Sequence, residues 1–414
     1  MSGASYDDGY AEVTINGQDI TPFVHTIHVS HSLTDNVPAA YASLRIHDST
    51  GILAGPASAV YYEPKVPITL MYTDPTGINV RQYQMVSAGL SQGEMSPSLK
   101  SQAHDLMATT ESFFNAQQLA SYASKGEPAA AAISNLHSKF VMPGSGLSIP
   151  GTKILGEMEH YLVSNKEVIS AIHDIRKRCV TTDQFKSNSL LYFMDQLGQF
   201  HLDSLENLLQ TASGTRIRIA KPGADGVPNL GNETSLAATS VHFNIEQDDT
   251  NAYYQASSQE GGKPNNQLLD NHSVEYIKGM VQQYDPGATL SSALTTIFGG
   301  GPIAALISHN PLHDSILQSK APHNVDRAQA KLQQAAAAGA PFATVNIRSL
   351  EPQLDVGKGV YLDIPDPYDD GAGGRSGSNT KGTYLITGKG DYINLSDQFN
   401  RVIVSFEAIM TAKG

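Results

Sequence analysis

Apolar and polar side chains alternate with a period of two over the first hundred residues. "EVTINGQDIT" sets Val13 and Ile15 between polar neighbours and turns at Asn16-Gly17; "HTIHVSHSL", "YASLRIHD", "VPITLMYTD" and "RQYQMVSAGL" repeat the alternation. Five strands separated by turn residues predict a small antiparallel barrel or sandwich. From about Glu111 the period changes. "ESFFNAQQLASYAS" and "EPAAAAISNLHSKFV" carry helical spacing with alanine-rich faces, and Pro128 sits where a first helical turn accepts proline. "GSGLSIPGTKI" interrupts this order, and "KEVISAIHDIRKRCV" restores a helix.

A hairpin follows. In "SLLYFMDQLGQFHLDSLENLLQ" the apolar run Leu190 to Met194 meets the turn Asp195-Gln196-Leu197-Gly198-Gln199, and alternation resumes through Phe200, Leu202 and Leu205. Residues 111–210 thus predict an α+β unit. Between 211 and 340, "TRIRIAK" and "SVHFNIEQ" predict strands among loops, with short helices at Leu290 to Phe298 and Val325 to Ala338. Strands return at the end in "FATVNIRSL", "GKGVYLDIP", "GTYLITGKGDYINL" and "NRVIVSFEAIM", with the polar loop "YDDGAGGRSGSNTKG" among them. The last two strands predict a long hairpin whose inward residues include Tyr384, Ile386, Val402 or Ile403, and Phe406. Along its second strand Val402, Val404 and Phe406 share one face, Ile403 and Ser405 the other. No solenoid or propeller period is present.

Composition narrows the function classes. At 414 residues the chain predicts more than one domain, and 36 Gly and 21 Pro favour β-structure with long loops. One cysteine, Cys179, excludes an internal disulfide and fits folding in a reducing cytoplasm. Neither a secretory signal nor an apolar run long enough to span a membrane is found, so no membrane anchoring is expected. A net charge of −13 argues against gripping nucleic acid by its phosphates; the short basic cluster Arg176-Lys177-Arg178 suits a helix C-terminus.

Candidate chemistry is sparse. His25, His28, His31 and His47 fall on strands whose successive side chains face opposite sides, a poor basis for a metal site. Gly299-Gly300-Gly301 lacks the Gly-Lys-Ser/Thr ending of a phosphate-cradling loop. His309, His313 and Asp314, with His323 beyond, have a spacing interrupted by Pro311 and no HExxH pattern. His201, Asp203 and Glu206 combine an imidazole with two carboxylates, but positions 201 and 203 predict a solvated strand face opposite Phe200 and Leu202. Cys179 has His173 on the same predicted helix at a spacing that does not align them. No catalytic residue, cofactor or metal is expected, and the chain is read as a structural protein rather than an enzyme.

Several of these runs, taken in order, resemble the baseplate central hub proteins of contractile-tailed bacteriophages. They are "VTINGQDITPFVHTIHVSHSLTDNVPAAYASLRIHD", "VYYEPKVPITLMY", "SLLYFMDQLGQFHLDSLENLL" and the ending from "GKGVYLDIPDP" to "GTYLITGKGDYINLSDQFNRVIVSFEAIM". The resemblance covers most of the chain apart from its middle, and related hubs form the base of type VI secretion spikes and phage-like injection particles. It implies a β-rich α+β fold: a first tube-like antiparallel β-barrel over 1–110, an α+β linking domain over 111–210, an irregular region over 211–340 that is partly second barrel, and strands over 341–414 that complete the second barrel.

By the same resemblance the chain forms a homotrimer whose ring adapts a hexameric tail tube to a trimeric spike protein. Tail tube or tube-initiator proteins and baseplate wedge proteins are further partners. DNA passes through the lumen without specific binding, a role that the net charge of −13 suits. The site is the virion's tail baseplate, assembled in the host cytoplasm. Because only "EAIMTAKG" follows Phe406, the spike is expected to be a separate polypeptide. Tube attachment falls on the hairpin 383–410 and the loop before it, with Tyr384, Ile386, Tyr392, Val404 and Phe406 as the expected assembly interface. A phage-like contractile injection particle would use the same hub. A baseplate-associated cell-wall hydrolase, the alternative of another class, would need His201, Asp203 and Glu206, or His309, His313 and Asp314, as its site.

Overall fold

The computed structural model describes residues 10–35, 37–48, 55–74, 77–95, 102–124, 127–149, 154–155, 157–158, 161–176, 180–181, 190–215, 217–220, 234–244, 342–364, 380–395 and 401–413. The predicted helices at 290–298 and 325–338, the histidines from His309 to His323, the glycine run 299–301, the polar loop from 368 to 379 and Cys179 lie outside these residues.

Seven strands begin the described chain: β1 (Ala11–Ile15), β2 (Gln18–Asp19), β3 (Val24–Ser32), β4 (Tyr41–Asp48), β5 (Pro67–Thr73), β6 (Val80–Met95) and β7 (Gln102–Thr109). The alternation of β1 translates directly into burial, with Ala11, Val13 and Ile15 inside. β7 escaped the pattern because its buried side chains include Ala103, Ala108 and His104, which carry little apolar contrast.

The middle of the chain runs α1 (Glu111–Ala116), β8 (Leu119–Ser124), β9 (Glu127–Pro128), α2 (Ala129–Leu136), β10 (Ile154–Leu155), β11 (Glu157–Met158), β12 (Tyr161–Glu167), α3 (Val168–Arg176), β13 (Val180–Thr181), β14 (Leu190–Met194), β15 (Phe200–Ser204) and α4 (Leu205–Ser213). The helix predicted over "ESFFNAQQLASYAS" stops after Ala116, and its second half is a strand paired with β12. Alanine, serine and tyrosine serve either element, and here the partner strand decides. Pro128 precedes α2 as its N-cap residue instead of standing in its first turn.

Six strands follow: β16 (Ile217–Ala220), β17 (Thr234–Asn244), β18 (Phe342–Ile347), β19 (Gly359–Asp363), β20 (Gly382–Asn394) and β21 (Arg401–Lys413). They close on themselves in the order β16-β17-β18-β21-β20-β19, because β19 pairs in parallel with β16 and antiparallel with β20. The N-terminal strands continue from this closed barrel. β20 gives its first half, Gly382 to Leu385, to β19 and its second half, Gly388 to Asn394, to β3, so one sheet of thirteen strands runs from β19 to β2. The chain is therefore a β-rich α+β protein with a closed six-stranded barrel.

Closure removes the edges of that barrel. At the far edge the two-residue β2 covers only the end of β1, and the rest is blunted locally: Ile20 donates its N–H to the Val13 carbonyl at 2.9 Å, and the Val13 N–H goes to Thr21 Oγ1 at 2.8 Å. One apolar cluster, including Val13, Ile27, Leu44, Leu136, Ile172, Phe200, Val345 and Phe406, runs through all three parts of the chain.

Candidate functional site: the shared hairpin and its buried polar junction

The β20–β21 hairpin is where the two parts of the sheet meet, and its side-chain directions follow from one irregularity. Tyr384 and Ile386 point inward, but the register shifts between Ile386 and Gly388. A bulge inserts one residue and reverses the parity of everything after it. Lys389, Asp391 and Ile393 therefore point inward, and Tyr392 turns outward with 38% of its surface exposed. Of the five residues expected at an assembly interface, Tyr384, Ile386, Val404 and Phe406 are buried in the chain's own core, and Tyr392 is at its surface. Tyr392 stands in register with His28 of β3 and Ile403 of β21.

The inward turn of Lys389 and Asp391 creates a polar junction. Lys389 Nζ donates to Gln196 Oε1 and lies 3.7 Å from Asp391 Oδ1. Tyr72, on β5, donates its hydroxyl to Asp391 Oδ2 at 2.7 Å. On β6, Arg81 sends Nη2 to the carbonyls of Leu350 and Glu351 at 2.6 and 3.3 Å. Asp355 accepts the Gln196 N–H on Oδ2 at 3.0 Å, while its Oδ1 lies 3.1 Å from His31 Nε2 of β3. Gln196 Nε2 also donates to the Pro352 carbonyl at 2.6 Å. Each of these charged side chains is at most 5% exposed in its residue's surface, so two cations and two carboxylates share a nearly dry site.

Burial dominates the electrostatics here. It pulls the Lys389 ammonium below the usual lysine range, although Asp391 and Asp355 draw the other way. It also pushes the Tyr72 hydroxyl well above the usual tyrosine range, with the Asp391 charge adding to the shift. Tyr72 is thus a donor that stays protonated. Such a cluster fixes geometry, since deleting one partner strands the opposite charge at a cost of about 3–5 kcal/mol.

Gln196 reaches the junction because its hairpin turn is rigid. Asp195 Oδ1 accepts the N–H groups of Leu197 and Gln199 at 2.9 and 2.8 Å, and Oδ2 lies 2.9 Å from His201 Nε2. Gly198 takes φ +78°, a left-handed conformation that favours glycine. Burial works to raise the Asp195 pKa, but the hydrogen bonds from His201, Gln199 and Leu197 outweigh it and hold the carboxyl below the ordinary range.

At this hairpin His201 and Asp203, weighed with Glu206 as candidate chemistry and read as scaffold, each have partners within the chain. His201 is held by Asp195 and stacks on Phe193 with ring centroids 5.1 Å apart. Asp203, expected in solvent, is 3% exposed. Its carboxylate accepts the Ser204 N–H at 2.7 Å and both oxygens accept Asn207 Nδ2 at 2.9 Å. Ser204 Oγ in turn caps α4 by accepting the Asn207 N–H at 3.1 Å. The helix start draws Asp203 inward, a demand that strand alternation alone does not register. The Glu206 side chain lies outside the described residues.

His25 and His47 stack with centroids 3.9 Å apart, and His31 belongs to the junction. Among the described residues no group of three His, Cys, Asp or Glu side chains is arranged to hold a metal ion. No helix among them is long and apolar enough to cross a membrane. Sequence reasoning missed Arg81, Asp355, Gln196, Lys389 and Asp391; the signal was "GKGDY", two opposite charges two residues apart in a strand next to a bulge.

No family model and no curated protein matches the sequence. Solved structures do. A crystal structure of the tail protein from Neisseria meningitidis MC58 matches over 97% of this chain and 96% of its own, with a TM-score of 0.51 and 10% identity. The 43 kDa tail protein of prophage MuSo2 from Shewanella oneidensis matches over 97% and 98%, at TM-score 0.48 and 8% identity. The E. coli c3393 protein, described as a component of the type VI secretion system similar in structure to T4 bacteriophage tail proteins gp27 and gp5, matches over 96% and 76%, at TM-score 0.45 and 8% identity. At such identity the likeness to the Neisseria protein is one of architecture, and it extends almost end to end: this chain has a tail-protein fold.

Proposed function

We propose that the chain is the central hub of a contractile-tail baseplate. In this reading it is a non-enzymatic homotrimer that joins a hexameric tail tube to a trimeric spike protein and encloses the passage for DNA. The observation that carries it is the match of nearly the whole chain to a tail protein, together with a hairpin that serves two parts of one sheet at once. A subunit with two barrel-like parts supplies six sheet units from three copies, which suits a sixfold tube above a threefold spike. Tube attachment then uses the outward side of the β20–β21 hairpin around Tyr392, with tube or tube-initiator proteins above and wedge proteins around. The virion's tail baseplate is the corresponding location.

The net charge of −13 supports a passage that repels phosphates. The test is electron microscopy of the protein mixed with the spike and tube proteins encoded beside it. Rings with threefold symmetry, capped by spike on one face and tube on the other, are expected. Single particles without symmetry that bind neither protein overturn the proposal.

A further inference from the structure

Besides Tyr72 of β5 and Arg81 of β6, the polar junction joins three stretches that are far apart in the sequence: the turn 195–199, the segment 350–357 between β18 and β19, and the seam between β3 and β20. Gln196 is the residue common to them. Its backbone N–H goes to Asp355, its Nε2 to the Pro352 carbonyl, and its Oε1 takes the Lys389 ammonium. Asp355 in turn meets His31 of β3, and Gly357 and Lys358 bond both polar groups of Ile386, just before the bulge of β20. Leu350, Leu354 and Val356 anchor the same segment in the core.

We infer that Gln196 is a latch, and that the hairpin turn, segment 350–357 and the β3–β20 seam open and close as one unit. The reason is that no one of the three can leave alone. If the turn withdraws, Lys389 loses its hydrogen-bond acceptor and Asp355 a donor, both in a site with little water to replace them. If segment 350–357 withdraws, Arg81 loses the carbonyls of Leu350 and Glu351, and Gln196 loses two acceptors. Partial opening strands buried polar groups, so full opening of the unit is the lowest route. The turn's own hydrogen bonds, from Leu197, Gln199 and His201 to Asp195, do not involve Gln196. This inference stands apart from the hub proposal and concerns the single chain.

Hydrogen exchange read by mass spectrometry tests it on the full-length protein. Gln196→Met keeps the side chain's length and removes its hydrogen bonds; Leu197→Ser alters the neighbouring residue, which is 80% exposed. Gln196→Met is expected to raise exchange on the order of tenfold or more in all three stretches together, leaving β16 to β18 unchanged. Leu197→Ser is expected to change nothing beyond the turn. Faster exchange confined to the turn, or spread evenly over the chain, overturns the inference. Should Gln196→Met fail to fold, the wild type decides: one common dependence on denaturant across the three stretches supports a single opening unit, and three different dependences refute it.

Discussion

Tyr72 and Asp391 stand 319 positions apart in the sequence, and the hydroxyl of the first donates to the carboxylate of the second at 2.7 Å. This bond crosses from a strand of the N-terminal part to the hairpin of the C-terminal barrel. Removing it with Tyr72→Phe leaves a buried carboxylate oxygen without its donor and is expected to lower stability by about 1–3 kcal/mol. Denaturant unfolding measures this, with Tyr392→Phe on the exposed side of the same strand expected to stay within about 0.5 kcal/mol of wild type.

Val404 is buried with no exposed surface, in register with Ile347 and Asp391. Val404→Asp places an additional carboxylate there and is expected to prevent folding or cost several kcal/mol, on the order of an unpaired buried charge. Val404→Ala, a milder change, is expected to lose about 1–3 kcal/mol. Circular dichroism and solubility report the first outcome, chemical denaturation the second.

Gly359 lets α4 lie directly on the barrel. A Cβ at this position would stand 2.2 Å from the Ala212 carbonyl oxygen, a backbone atom that no rotamer change removes. The helix buries Leu205, Leu208, Leu209 and Ala212 at helical spacing, so shifting it disturbs an entire face. Gly359→Ala is expected to destabilise by about 1–3 kcal/mol. A thermal melt unchanged from wild type would show that the close approach is not needed.

His137 is fully buried, with Nδ1 2.8 Å from the Tyr192 hydroxyl, and burial lowers its pKa from 6.5 to about 4. The unfolded chain takes up the proton first as pH falls. The contribution of the neutral imidazole is therefore complete above pH 6.5 and is lost between there and pH 4, to a total of about 3 kcal/mol. Urea unfolding across that range checks it. The slope of stability against pH should flatten in His137→Gln, and parallel slopes in the two proteins would contradict the assignment.

Much of this architecture is legible in the sequence, and the failures are local. Strict alternation marks β1 and the inward row Val402, Val404 and Phe406 of β21, since one buried face forces a period of two. The turn 195–199 announces itself through Gly198 between two apolar runs. Beyond Ile386 the same rule loses its phase, because a bulge has no distinctive composition and reverses every later side chain, so Lys389, Asp391 and Ile393 turn inward. The junction was hidden for a related reason. Tyr72, Arg81, Gln196, Asp355, Lys389 and Asp391 are joined only by the fold, and charged residues in a strand read as solvent-facing until something is known to cover them. Asp203 was misread likewise, since the helix that recruits it begins just beyond the strand.

The central claim is that this tail-protein fold works as a trimeric hub. Native mass measurement of the purified protein, alone and with its neighbouring spike protein, tests it most directly. The expected result is a species of three copies, formed by the protein itself or on addition of the spike. A mass of one copy at every concentration, with and without the spike, would contradict it.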